Sequence, residues 1–501
     1  MPGATIATRD LAMINGTPIT DPRMQATTSA SLDARLAEAT ALFQENDPAQ
    51  AEALLCTLQA WEPAREDVSM LLAEVQRSRG RFGAAAETLF ALCRSRDFES
   101  GISLRSVEFL RQCDRHAVAE RICKAALVRG AVSPELLMQA GNVARETGDF
   151  EIARARYVEA LDRGIDLDRH HVFGALANTR RYMDAADAEL AWFERHFADA
   201  RFNPRSRASA GFALAKVQND LADYSAAAKT LRVANTMVHA IRPWDGAAWQ
   251  RCVTARKREQ VAGSNAVLNN DFVPVFIVGL PRTGTTLAAT LLARASGARD
   301  RGELRSLRFI ADQLVNGGHL ANSAAVAGAA NLYRTLAVQD DAPSTWYLDQ
   351  DPLNFRYLHI VAAMFPQARV IHLRRDRADT ALSLWSQDFA HPDLGFAYEF
   401  DDMQICMDGH DALWRHWKQQ LRLPVFELDY ETLVTEPDAT QARLCEFIGA
   451  QAAVAAPASN AAPMLSASVW QARQAVYQTS VGRWRSYAPF VSDLAHFAAM
   501  A

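Results

Sequence analysis

Pro274-Val-Phe-Ile-Val-Gly-Leu-Pro-Arg-Thr-Gly-Thr-Thr-Leu-Ala-Ala-Thr-Leu-Leu-Ala-Arg294 runs from strand to tight loop to helix without a break. Val275 to Val278 are β-branched or aromatic and uncharged, which suits a strand covered on both faces. Leu287, Leu291 and Ala295 then recur at helical spacing. Gly279 and Gly284 lie between the two patterns, where small residues let backbone N–H groups converge on an anion at the start of a helix. A Walker-type loop would follow its second glycine with Lys-Ser/Thr; here Thr285-Thr286 follow, and the nearby cation is Arg282, ahead of Gly284. The stretch reads as a phosphate cradle of a different kind.

Beyond it, Thr345–Leu348, Ala368–Leu373 and Pro424–Leu428 are short apolar strand candidates. Helical patterns over Arg356–Phe365, Ala378–Phe389 and Thr432–Ile448 separate or follow them, predicting βα units and a parallel sheet. Ligands of such sheets bind at the carboxyl ends of the strands. Arg282, Gln350 with Asp351, Arg374 with Arg375, and Asp429 with Tyr430 each follow a strand, so they are expected on one edge. The Gly- and Ala-rich Asn316–Asn331 and the Ala-rich Gln451–Pro463 read as loops around an acceptor mouth.

The N-terminal half repeats itself every thirty-four residues: Asn46, Gly80, Asp114 and Gly148 share one register, and Ala51, Ala85, Ala119 and Ala153 another. The clearest copy, Leu137–Leu161, is two helical patterns around Gly148-Asp149. It resembles the tetratricopeptide repeat, which implies an all-α solenoid of about six copies over residues 32 to 240 with a concave groove. Such a groove binds a peptide or partner protein, or else forms a homodimer or buttresses the second domain. Arg77, Arg79 and Arg81 suit an acidic partner, but a charge run is more often a solvated face. Helical patterning ends near Val261, and Ser264–Asp271 reads as a linker. The expected layout is a flexible tail at 1–31, the helical array at 32–262 and an α/β P-loop-like domain at 270–495.

Among 501 residues, 49% are hydrophobic and 22% charged, as in a globular protein with ample core, and the net charge of −5 gives no general attraction to nucleic acid. The apolar runs are too short for an integral membrane segment, and residues 1–31 lack the apolar core of a secretory signal, so the cytoplasm is the expected compartment. Seven cysteines without a CxxC pair argue against disulfides and metal sites.

Three segments together resemble the sulfotransferases. Pro281–Thr286 is similar to their 5′-phosphosulfate loop, Leu373–Ser383 to their 3′-phosphate motif, with Arg375 and Ser383 eight residues apart, and Ser480–Tyr487 to their cofactor-covering segment. The tyrosylprotein sulfotransferase-like branch fits best, because Glu303 lies twenty-one residues beyond Arg282, where that branch carries its catalytic Glu. The resemblance implies 3′-phosphoadenosine 5′-phosphosulfate (PAPS) as donor, 3′,5′-adenosine bisphosphate as product, no metal, and a hydroxyl acceptor such as protein tyrosine. It assigns Arg282 and Glu303 to catalysis. It assigns Arg282, Thr283, Gly284, Thr285, Thr286, Arg375, Ser383, Tyr430, Ser480, Arg483 and Trp484 to the nucleotide.

Plainer readings stand beside these. Arg282 serves as well to cap its loop, Arg375 to extend a surface run with Arg374 and Arg377, Glu303 to pair with Arg299, Arg301 or Arg305, and Tyr430 to pack. Gln350 stands where the resembling families carry Lys, which leaves a slow enzyme, with Arg483 as substitute cation, or a degenerate scaffold. A nucleotide kinase lacks its Lys after Gly284.

Overall fold

The computed structural model describes residues 22–262, 271–389, 391–450 and 478–499. Its first part is a series of helices: α1 (Pro22–Gln44), α2 (Pro48–Trp61), α3 (Glu66–Ser78), α4 (Phe82–Ser95), α5 (Ser100–Gln112), α6 (His116–Val128), α7 (Pro134–Thr147), α8 (Phe150–Asp162), α9 (Val172–Ala177), α10 (Ala188–Ala198), α11 (Pro204–Asp220), α12 (Tyr224–Ile241) and α13 (Gly246–Arg256). Helix α1 begins inside the stretch expected to be tail.

The thirty-four-residue register has a backbone cause. Asn46, Gly80, Asp114 and Gly148 each turn one helix into the next with φ of 65°, 71°, 54° and 93°, the left-handed region that Gly, Asn and Asp tolerate. Ala51, Ala85, Ala119 and Ala153, on the first turns of α2, α4, α6 and α8, are completely buried, as close helix packing demands. At α7 and α8 the approach is so tight that a Cβ on Gly141 would lie 2.7 Å from the Tyr157 ring. Arg79 and Arg81 both pair with buried Glu52, and Arg77 with Glu74, so these arginines serve the array itself.

The second part alternates strand and helix: β1 (Val273–Gly279), α14 (Thr285–Ser296), β2 (Arg299–Asp300), α15 (Ser306–Asn316), α16 (Ser323–Val338), β3 (Trp346–Asp349), α17 (Leu358–Met364), β4 (Arg369–Arg374), α18 (Arg377–Trp385), α19 (Phe400–Gln420), β5 (Val425–Asp429), α20 (Tyr430–Thr435) and α21 (Pro437–Ile448). All strand pairs are parallel, in the order β2-β3-β1-β4-β5. Val275 and Ile277 of β1 pack with α14 and α21 on one face, while Phe276 and Val278 pack with α15, α16, α17 and α19 on the other, the two-residue alternation of a doubly covered strand. With β3 on one side of β1 and β4 on the other, the chain reverses direction across the sheet at β1, and the loop after β1 opens at that switch point.

The stretch Asn316–Asn331, expected to be loop, is largely helical. Its alanines are strong helix formers, and the Asn322 side chain accepts from Ala324 N and Ala325 N to start α16. The linker and the Gln451–Pro463 loop, save Asp271, lie outside the described residues.

Array and sheet share a core. Phe212, Leu231 and Val238 of α11 and α12 pack with Leu382 and Trp385 of α18 and with Tyr487. Arg205 forks onto Asp388 at 3.1 and 2.7 Å, and Asn235 donates to the Trp385 carbonyl at 2.9 Å. Among the described residues no helix is long and apolar enough to cross a membrane.

Candidate active site

The loop after β1 is built for close approach. A Cβ on Gly279 would meet the Leu373 carbonyl of β4 at 2.5 Å, and one on Gly284, at φ 100°, would meet the Tyr430 ring at 2.7 Å. Arg282 itself sits at φ 73°, a conformation that costs an L-residue on the order of 1–2 kcal/mol and is held by its surroundings. Those surroundings are visible: Arg375 Nη1 donates to the Arg282 carbonyl at 3.0 Å, and Arg282 Nε donates to Ser383 Oγ at 3.0 Å. Thr283 closes the loop by donating to the Leu280 carbonyl at 2.7 Å. Helix α14 starts at Gly284 with no side-chain cap, so its first N–H groups, with Thr285 and Thr286 on the opening turn, are available to an anion.

The three neighbouring arginines part company. Arg374 forks onto Asp429 at the surface and Arg377 onto Asp408 and Asp411, whereas Arg375 turns to the loop. Its guanidinium lies 4.5 Å from the Tyr430 ring centroid, and its Nη2 donates to the Ser480 carbonyl at 2.8 Å. Tyr430 Oη and Ser480 Oγ share a hydrogen bond of 2.6 Å. Arg282, Arg375, Ser383, Tyr430 and Ser480 therefore form one connected cluster.

Sequence reasoning missed what holds the C-terminal segment. Buried Asp379 accepts from Gly482 N at 2.6 Å and from Trp484 N at 2.9 Å. Arg483 donates to Asn219 Oδ1 of α11 at 2.5 Å, where Tyr487 Oη also donates at 2.9 Å. The array thus engages the cation expected to substitute for the absent Lys. Among the described residues, the donors Arg375 Nε and Trp484 Nε1 are buried without a partner, which fits a polar or anionic ligand laid against them.

Glu303 follows β2. Among the described residues it pairs with none of Arg299, Arg301 and Arg305; Arg301 instead goes to Asp341. Water reaches Glu303, yet the walls around it cost its charged form hydration, and Asp351 adds repulsion. Together these push the carboxyl up to about 8, against the pull of Arg305 and Arg282. That pull places Glu303 and the cradle within electrostatic reach.

The adjacent Gln350 donates its backbone N–H to the Gly302 carbonyl at 2.9 Å, and among the described residues its Oε1 is buried without a partner, as are both polar side-chain atoms of Asn354. Asp349, buried and raised well above the usual carboxylate range by lost hydration and by Asp351, accepts from Tyr333 Oη at 2.9 Å. His359 and His372 belong to the core, stacked on Trp417 and Trp414.

Residues 274–453 match the model of the Sulfotransferase family. An uncharacterized protein of Aquifex aeolicus is 28% identical over 335 residues, covering 62% of this chain and 44% of its own length, so the chain spans less than half of that relative. Among solved structures, the sulfotransferase domain of the Synechococcus PCC 7002 olefin synthase aligns at 18% identity over 48% of this chain and 98% of its own, with a TM-score of 0.33. Sulfotransferase STF1 of Mycobacterium tuberculosis aligns at 15% over 64% and 100%, with a TM-score of 0.26. At those scores the structural likeness adds nothing to the argument. The family match falls on the segment that carries the cradle, Arg375, Ser383, Tyr430 and Glu303, and stops short of Ser480: residues 274–453 match a sulfotransferase-family domain.

Proposed function

We propose that the protein transfers a sulfuryl group from PAPS to a hydroxyl acceptor. The observation that carries this reading is the Arg375 cluster. One guanidinium joins the anion cradle to Ser480 while Ser383 holds Arg282, which supports two neighbouring anion positions instead of one triphosphate groove. The bound donor supplies an activated sulfuryl group on a phosphate leaving group. Arg282 and the N–H groups at the start of α14, with Thr285 and Thr286, orient the sulfated end. Arg375 and Ser383 hold the 3′ phosphate, and Tyr430 and Trp484 flank the adenosine. Glu303 receives the acceptor's proton as the hydroxyl oxygen attacks. The helical array, read as tetratricopeptide repeats, recruits a peptide acceptor, with tyrosine the candidate residue.

Calorimetry with 3′,5′-adenosine bisphosphate, beside ATP with Mg²⁺, tests the nucleotide. Binding of ATP alone sinks the proposal. A second reading, a nucleotide-binding scaffold, is favoured by the uncharged Gln350 at the end of β3. Labelled sulfate transferred from PAPS into lysate protein excludes the scaffold, and no labelled product at any enzyme concentration leaves it alone.

A further inference from the structure

Asp340 and Asp341 lie between the array and the loop that presents Glu303. Helix α4 has no side-chain cap of its own at Arg81; instead Asp340 accepts from Gly83 N at 2.7 Å and from Ala84 N at 2.9 Å, capping it from the other part of the chain. Asp341 is shared: Oδ1 accepts from Arg115 Nη2 at 3.1 Å, and Oδ2 from Arg301 Nη1 at 2.6 Å. Arg115 also donates to Gln339 Oε1 at 2.8 Å.

Arg301 is buried, and its other nitrogens are spoken for. Nε donates to the Ala337 carbonyl at 2.6 Å, Nη2 to the Val338 carbonyl at 2.9 Å, and its backbone N–H to the Leu348 carbonyl at 2.9 Å. Glu303 stands two residues on. The array's turns press on the same region: a Cβ on Gly80 would lie 2.5 Å from the Thr335 carbonyl, and one on Gly302 would lie 4.0 Å from Asp114 Oδ2.

We propose that Arg115 and Asp341 are positioning residues for Glu303, so that the helical array, acting through Arg301, completes the active site as well as serving its own groove. The inference rests on reading Glu303 as the base. A carboxylate shared between two guanidiniums, one on each oxygen, fixes direction as well as distance, which suits a neighbouring carboxylate whose aim governs rate. A buttress that merely stiffens the fold would affect the cradle and the Glu303 loop alike; this linkage ends on Arg301, two residues before Glu303.

The test uses the full chain and two readouts. Hydrogen exchange is compared between the wild type, Arg115→Ala and Arg115→Lys. Exchange over residues 299–304 is expected to rise about tenfold in Arg115→Ala, to recover partly with Lys, and to stay unchanged over 279–286. In PAPS turnover, kcat is expected to fall about tenfold or more with the donor KM within about twofold. The limb of the pH profile set by Glu303 is expected to move to lower pH as the loosened walls let more water hydrate its carboxylate. Asp351, Arg305 and Arg282, the charged groups acting on Glu303, are unaltered in this variant.

Unchanged exchange over 299–304, or an equal rise over 279–286, overturns the inference. If Arg115→Ala fails to fold, Asp341→Asn, of the same shape, is read by the same criteria. If the wild type transfers no sulfate, the reading of Glu303 as base fails by itself, while exchange still decides whether the array holds the loop.

Discussion

Arg375 donates from Nη1 to the main-chain oxygen of Arg282 at 3.0 Å while its Nη2 reaches the Ser480 carbonyl at 2.8 Å. One side chain therefore fixes the strained residue of the cradle and the C-terminal segment at Ser480, and among the described residues its Nε remains buried without a partner. Replacing it with Ala removes both tethers and that unpartnered donor. Calorimetry should show affinity for 3′,5′-adenosine bisphosphate falling about ten- to a hundredfold. Arg375→Lys should recover little, since an ammonium cannot span two carbonyls and stack on Tyr430 at once. Wild-type affinity in the Lys variant would show that the fork is unimportant.

With Glu303 as the proposed base, its carboxyl sets the pH dependence. Its carboxyl is raised to about 8, and the base is its deprotonated form, so kcat/KM should climb with pH and level off above about 8. Glu303→Gln should remove that limb and lower the rate by about a hundred- to ten-thousandfold, with nucleotide binding retained. A limb that persists in the Gln variant assigns the titration to another group.

The parts of this architecture that came from short-range pattern were legible, and the parts that came from distant contacts were not. Val275–Val278 reads as a doubly covered strand because the composition of four successive residues carries the signal. The repeat register reads through Asn46, Gly80, Asp114 and Gly148 because one φ constraint recurs at each turn. Asp379, Asn219 and Asp341 act on residues more than thirty positions away, and nothing in their neighbourhoods distinguishes them from surface polar residues. Strand β2 is only two residues, Arg299 and Asp300, paired with Tyr347 and Leu348, too short for a periodicity. In Ser323–Asn331 the glycine and asparagine suggest a loop, but the helix propensity of the alanines prevails.

The turn at Asp114 brings a second pH effect. Burial pushes Asp114 to about 6, with Asp300 across the contact adding to the rise, and burial pushes Asp300 to about 6 as well. Both folded values lie above the usual 3.8, so the folded chain binds more protons between them. The stability they contribute is therefore complete below about pH 4 and is lost as pH rises through about 6. Asp114→Asn keeps a residue that tolerates positive φ and removes one charge. Its thermal midpoint should match the wild type at pH 4 and exceed it at pH 7.5, by an amount equivalent to on the order of 1 kcal/mol. A midpoint below the wild type at pH 7.5 would mean that the charge is welcome at the contact.

Gln350 is where the chemistry is weakest. Its side chain is buried at the end of β3, its Oε1 lacks a partner, and its backbone holds Gly302 beside Glu303. Arg483, the candidate to replace a missing cation, is turned to Asn219. Glu303, Asp349 and Asp351 all lie close by with raised carboxyls, so a cation introduced at 350 would favour their ionised forms and gain a partner by doing so. Gln350→Lys should therefore be tolerated, and by restoring a charged donor to the leaving oxygen it should raise single-turnover transfer by up to about a hundredfold, or about 3 kcal/mol of barrier. The same substitution should lower the pH at which the Glu303 limb levels off, because a nearby ammonium favours the carboxylate. A rate that stays flat while that limb moves would place the introduced ammonium beside the base but away from the leaving group, and the slow-enzyme reading of Gln350 would then fail.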